Sequence, residues 1–264
     1  MRIFLREVRA NLKSLLIWSV VMTLLIVIAV AKFAGFADNP EMLQVLDAMP
    51  KAVLDAMDMQ AFNLTTLNGF YGLMFLYFAL MGAVAAAMWG STLISKEERD
   101  RTVEFSLVLP VSRSQVITAK ALAALAHCAA FVLITWGVSL VAVRSYQPDQ
   151  AFYDFLRVQM LAMFLIELIF LSIGLLLGCA MKHYKRSGST AVSIILVTYI
   201  FSILVDMDER LDILRLLTPF KYFDSGNIYR HASIPHSSLI LTGLIVVVCT
   251  ALAYWAYNRR DLYI

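Results

Sequence analysis

The stretch SKEERDRTVEFSLVLPVSRSQVITAK, residues 95–120, decides the fold of this chain. Seven charges fall between Lys96 and Glu104: Lys96, Glu97, Glu98, Arg99, Asp100, Arg101 and Glu104. Long apolar runs lie on either side, at about 70–94 before it and 116–143 after it. At ~2.5–3.5 kcal/mol for each charge near a bilayer centre, burying this cluster in lipid would cost roughly 20 kcal/mol. The stretch therefore belongs in water and its flanks belong in hydrocarbon.

The rest of the chain repeats that contrast. Its 264 residues are 61% hydrophobic and only 16% charged, with a mean hydropathy of +0.76. A soluble domain of this length needs far more polar surface. A helix needs about 20 apolar residues to cross the hydrocarbon core. Six stretches qualify, near 15–36, 70–94, 116–143, 155–181, 188–205 and 239–257. They are rich in Leu, Ala, Met and Phe and lack the strict alternation of barrel strands. The expected fold class is an all-α membrane protein of six transmembrane helices, forming one domain over residues 1–264. The first apolar run reads as a retained anchor, because no small-residue cleavage site follows it. Cys128, Cys179 and Cys249 all fall inside predicted spans, and this odd number gives neither a disulfide framework nor a metal spacing.

An even number of spans puts both termini on one side. With the termini inside, fourteen of the 22 basic residues fall on that side: Arg2, Arg6, Arg9, Lys13, Lys96, Arg99, Arg101, Arg113, Lys120, Lys182, Lys185, Arg186, Arg259 and Arg260. Basic residues beside short loops mark the cytoplasmic face, so the expected topology is N-in and C-in. The net charge of +3 is then a topology signal and calls for no nucleic-acid partner. Residues 1–13 read as a basic amphipathic helix on the inner leaflet, with Phe4, Leu5, Val8 and Leu12 on one face and Arg2, Arg6, Arg9 and Lys13 on the other. The first outer loop carries an apolar stripe of Met42, Val45, Leu46, Met49, Val53 and Met57, and Pro50 is expected to divide its helix.

The quoted stretch has a construction of its own. Glu97 and Arg101, then Asp100 and Glu104, are four apart, which puts an opposite-charge and a like-charge pair on a short helix. Val103, Phe105, Leu107, Val108 and Leu109 supply apolar contacts, and Pro110 ends the element. Ser112 with Gln115 fits a capping box and Val111 with Val116 a hydrophobic staple, so the third span starts near Arg113. A span, a short charged-then-apolar helix, a Pro turn and a capped span look like a docking element for a cytoplasmic partner. A solvated connecting helix is the plainer alternative.

These residues resemble the cytoplasmic segment of type-2 ATP-binding-cassette (ABC) transporter permeases. That family shows a Glu-rich turn, Thr-x-Glu, apolar residues, Pro-x-Ser-Arg and a Lys opening the next span; here the positions are Glu97, Glu98, Thr102, Glu104, Pro110, Ser112, Arg113 and Lys120. Arg101 stands where many members carry glycine. LTPFKYFD (residues 217–224) resembles the family's element before its last span, and YNRRDLYI (residues 257–264) its C-terminal tail. The resemblance implies the transmembrane domain of a type-2 (type V) ABC exporter in the cell membrane, with an N-terminal interfacial helix. It implies that residues 95–115 are the cytoplasmic coupling segment, in which Glu97, Glu98, Arg101, Thr102, Glu104, Phe105, Pro110 and Arg113 meet a separate ATPase subunit. It also implies a second permease copy or paralogue, and ATP and Mg held by the partner ATPase rather than by this chain. The outer loop 206–236 would hold a re-entrant element around 211–223, with Leu211, Leu214, Leu216 and Leu217 toward apolar surroundings and Pro219 breaking it.

Several constellations are missing from the sequence. No Gly is followed by Lys, so no phosphate-cradling loop of the G-x-x-x-x-G-K type is present, and the chain is expected not to be its own ATPase. No H-E-x-x-H or G-x-S-x-G occurs, and the histidines do not cluster. Glu167, at the middle of the fourth span, is the exception among apolar neighbours. An intramembrane carboxyl is a candidate site for a cation, proton or substrate amine; a protonated group bonded to a neighbouring helix is the structural alternative. It also supports a rival reading, a proton- or cation-coupled secondary carrier. Gly174-x-x-x-Gly178, and Gly82 with Ala86, offer small faces for close helix contact, within the chain or between two permeases.

Overall fold

The computed structural model describes residues 2–37, 39, 48, 50, 62–99, 112–181, 184–207, 209–231 and 233–259. The Met-rich stripe of the first outer loop and residues 100–111 lie outside them. Helix makes up 89% of the structure, and no strand occurs among the described residues. Six helices are long and apolar enough to span a membrane: α1 (Arg2–Phe33), α2 (Leu67–Arg99), α3 (Arg113–Ala142), α4 (Gln150–Ala180), α5 (Tyr184–Met207) and, after two short helices, α8 (His236–Arg259). The short ones are α6 (Pro219–Tyr222) and α7 (Ser225–His231). The expected six-span, all-α architecture is thus observed.

The spans alternate in direction. Arg2, Arg99, Arg113 and Arg259 mark one end of the bundle, called here the basic end; Phe33, Leu67, Ala142 and His236 mark the far end. The basic amphipathic segment is helical and runs into the first span without a break, as one rod of 32 residues, about 48 Å long. No Gly or Pro lies between Arg2 and Phe33 to interrupt it. Phe4 and Val8 are half-buried, Leu5 and Leu12 are exposed, and Glu7 is buried.

α2 and α4 form the centre: 67% and 61% of their most apolar windows are buried, against 11% for α8. Small residues explain the closeness of this pair. A side chain on Gly90 would strike the Leu171 carbonyl, and one on Gly174 would strike the Ala87 carbonyl. A Cβ at Gly178 would lie 2.7 Å from the Ser91 carbonyl oxygen. Between them Ala83, Ala86 and Ala87 are fully buried. With no water to expel from between lipid-solvated helices, such backbone approach is the main source of attraction. The small faces noted in the sequence are therefore spent within the chain, on the α2–α4 seam.

The outer segment after α5 departs from an amphipathic re-entrant α-helix. A 3₁₀ run, Glu209–Leu217, comes first. At three residues per turn Leu211, Leu214 and Leu217 fall on one side and Leu216 off it; Leu211 and Leu214 are half-buried, while Leu216 and Leu217 turn outward from the chain. Pro219 opens α6 at its first turn, where its missing N–H has no helical partner to lose. The residues that enter the bundle are the following ones, Thr218, Pro219, Phe220, Lys221, Tyr222 and Phe223, all buried.

Candidate functional site

Two polar regions stand out, one at each end of the bundle, with Glu167 between them. At the basic end, α2 carries Glu97 and Glu98 in its last turns and Arg113 opens α3. Arg101, Thr102, Glu104, Phe105 and Pro110 lie outside the described residues, as does Val111 of the expected staple. The structure does show how the two ends of this segment are held. Both halves of the capping box form: Gln115 N–H donates to Ser112 Oγ (3.2 Å) and Ser112 N–H donates to Gln115 Oε1 (3.0 Å). They fix the first turn of α3.

That turn is tied to its neighbours. The Lys120 ammonium, 1% exposed, donates to the Leu93 carbonyl of α2 at 2.6 Å. Thr118 and Tyr254 of α8 share a hydrogen bond of 2.6 Å, the Arg113 guanidinium donates to the Tyr257 carbonyl at 3.4 Å, and the Asn258 amide donates to Ser114 Oγ at 3.5 Å. α2 is bound in turn to α1, through Trp89 Nε1–H donating to Ser14 Oγ at 3.0 Å, and to α5, through Ser187 donating to the Ser91 carbonyl at 3.5 Å. Five spans are thus cross-linked where the charged segment leaves and re-enters the bundle. Sequence reading found the Ser112 cap and Lys120. It missed Thr118, Tyr254 and Trp89, whose partners lie 75–136 residues away and leave no local signal.

Glu167 is fully buried in α4. Cys128 of α3 is its polar neighbour. Across the seam it sits over Gly82, where a Cβ would come within 2.8 Å of Oε1. Gly82 therefore makes the room the carboxyl occupies. His127, also buried, turns from Cys128 to bond the Ala123 carbonyl at 2.7 Å and to lie 5.7 Å from the Trp89 ring. Among the described residues, no group of three His, Cys, Asp or Glu side chains is placed to hold a metal ion.

At the far end the segment 218–231 packs against α2, α4 and α5. The Phe220 ring lies between Phe170 of α4 (5.5 Å) and Tyr199 of α5 (5.9 Å), and Tyr229 meets Phe155 of α4 at 5.6 Å. The Gln159 amide donates to Ser225 at 3.1 Å. The Tyr222 hydroxyl donates to the Leu216 carbonyl, and burial lifts this phenol above its ordinary range. Lys221, drawn in with Phe220, places its ammonium 2.6 Å from Asp206 at the end of α5 and 3.2 Å from Asp224. In the sequence Lys221 was one more basic residue of an outer loop. Only the insertion of Pro219 and Phe220 makes it a buried one.

Six apolar helices of spanning length, with a cross-braced basic end, define a multi-pass helical membrane protein. Residues 1–262 match the family described as ABC-2 family transporter protein. The chain belongs to this family of ABC-2 type permeases and is the membrane subunit of an ABC transporter. No curated protein matches it.

Proposed function

We propose that the chain is the pathway-forming half of an ATP-driven exporter in the cell membrane. It works as a dimer with a second copy or a paralogue, its termini and residues 95–115 are cytoplasmic, and separate ATPase subunits bind ATP and Mg beneath it. In this reading Glu97, Glu98, Arg101, Thr102, Glu104, Phe105, Pro110 and Arg113 dock on the ATPase. The observation that carries it is the clamping of α2 and α3 at the roots of the charged segment, through Lys120 to Leu93 and through α3's first turns to α8. A segment that must move helices needs roots that do not give. Family membership supports the ATPase partnership, and the excess of basic residues at this end supports its cytoplasmic placement.

Affinity purification of the tagged chain from its own membrane, with an ATPase assay on the eluate, tests the reading. An ATPase should co-purify, and Glu97→Gln, Glu98→Gln and Glu104→Gln together should remove it while the chain still folds. An unchanged yield of ATPase from the triple variant would place docking elsewhere. The fully buried carboxyl of Glu167 favours a second reading, a proton- or cation-coupled carrier. In that case the chain would purify alone, and Glu167→Gln would abolish transport.

A further inference from the structure

α1 is longer than a membrane core is thick, and its surplus lies at the basic end. Aromatic contacts mark its far limit: Phe33 meets Phe70 at 5.4 Å and Tyr146 at 5.1 Å, and the Tyr146 hydroxyl donates to the Val30 carbonyl at 3.4 Å. Toward the basic end, Trp89 donates to Ser14. Tyr and Trp gather at the two membrane interfaces. From Ser14 to Phe33 the rod is about 28 Å long, close to the ~30 Å of a hydrocarbon core. Residues 2–13 therefore stand beyond the core, and those nearest Ser14 cross a headgroup layer about 5–7 Å deep.

This extension keeps the facing of the span. Glu7, Leu15, Met22, Ile26 and Ala29 are all buried, at spacings that hold one side of a single helix against the bundle. The segment thus stands with the span instead of lying along the leaflet, and Glu7, the one acid of α1, is turned inward. The opposite side is one stripe in two parts. Arg6, Arg9 and Lys13 are exposed on its first turns, and Leu16, Ile17, Val20 and Leu24 continue it, exposed as well. Arg6 shares its charge with Glu7 at 3.5 Å. Arg9 and Lys13 pair with no carboxylate among the described residues, whereas the exposed Arg157 and Arg215 each find an Asp one turn away, at 3.0 and 3.7 Å. Lys13 is level with Ser14 and Arg9 lies one turn further out, so both cations sit at headgroup depth.

Two uncompensated cations at headgroup depth, directly above an exposed apolar stripe, complement an amphiphile with an anionic head. We infer that the outward stripe of α1 binds an anionic phospholipid, its phosphate held by Arg9 and Lys13 and its acyl chains laid along Leu16, Ile17 and Val20. The guanidinium offers two parallel N–H donors to phosphate oxygens, and the ammonium adds a point charge. A zwitterionic lipid fits less well, because its own ammonium offsets the phosphate that the stripe attracts. The lipid then contacts the helix that Trp89 ties to α2, on the approach to the charged segment. The site does not depend on the ATPase partnership.

Native mass spectrometry of the full chain, purified in detergent and titrated with phosphatidylglycerol or phosphatidylcholine, tests the site. The first phosphatidylglycerol should bind about tenfold or more tighter than phosphatidylcholine. Arg9→Gln with Lys13→Gln should close that gap and leave phosphatidylcholine binding unchanged. Arg186→Gln with Arg259→Gln removes the same charge from exposed positions at the same end, and should keep the gap. Excess inorganic phosphate should not displace the lipid, because the acyl chains share in the binding. A gap that survives Arg9→Gln with Lys13→Gln overturns the site; if that variant instead loses a co-purifying ATPase, the stripe is a protein contact. A gap lost equally in both double variants is attraction by net charge and overturns the site too. Displacement by inorganic phosphate overturns the lipid as its occupant.

Discussion

The two ends of the bundle are joined in different ways. At the basic end, helices are tied by hydrogen bonds from side chains that belong to the spans themselves: Lys120 to Leu93, Thr118 to Tyr254, Trp89 to Ser14. At the far end a short inserted segment is held by aromatic contacts and by one ammonium shared between Asp206 and Asp224. The first arrangement ties span to span, and the second holds an inserted segment by charge as well as by ring contacts.

Changes at four positions sharpen or break that comparison. Gly174→Leu attacks the seam that both ends share. It forces α4 away from the Ala87 carbonyl and should destabilise the protein by about 3 kcal/mol or more, seen as loss of the monodisperse purified species. Lys120→Ala removes a buried stem and its bond to Leu93, and should cost about 2–3 kcal/mol in thermal unfolding. Lys120→Met, which keeps the stem, should cost less. Asp206→Asn removes one of the carboxylates that hold Lys221 and should cost about 1–2 kcal/mol, with little change in ATPase co-purification. If it did uncouple the ATPase, the division of labour between the two ends would fail. Tyr254→Phe removes one interhelical bond and should cost about 0.6 kcal/mol, the usual worth of such bonds in membranes.

Much of the fold was legible because lipid imposes simple demands. An apolar run of spanning length has few alternatives, and all six spans were found to within a few residues at most ends. The start of α3 was legible for a local reason: Ser112 and Gln115 lie three apart, and both capping bonds form as that spacing requires. Partner choice was not legible. Leu, Phe and Ala face lipid and core alike, so the sequence gives no sign that α2 and α4 form the centre while α8 lies at the rim. The glycines of the seam hinted at close contact without naming the partner. Lys221 was hidden for a different reason, since its burial depends on where Phe220 finds its ring partners, Phe170 and Tyr199. Glu167 was legible as an oddity, and the structure adds the Gly82 that makes room for it.

The central claim, that the charged segment at the basic end is where energy from ATP enters, is tested most directly by a photo-crosslinking side chain placed at Phe105 and, for comparison, at Asn63 of the far end, in cells expressing the whole transporter. The account predicts an adduct between the chain and the ATPase subunit from position 105 and none from position 63. An adduct from 63, or none from 105 in a complex that still hydrolyses ATP, would contradict it.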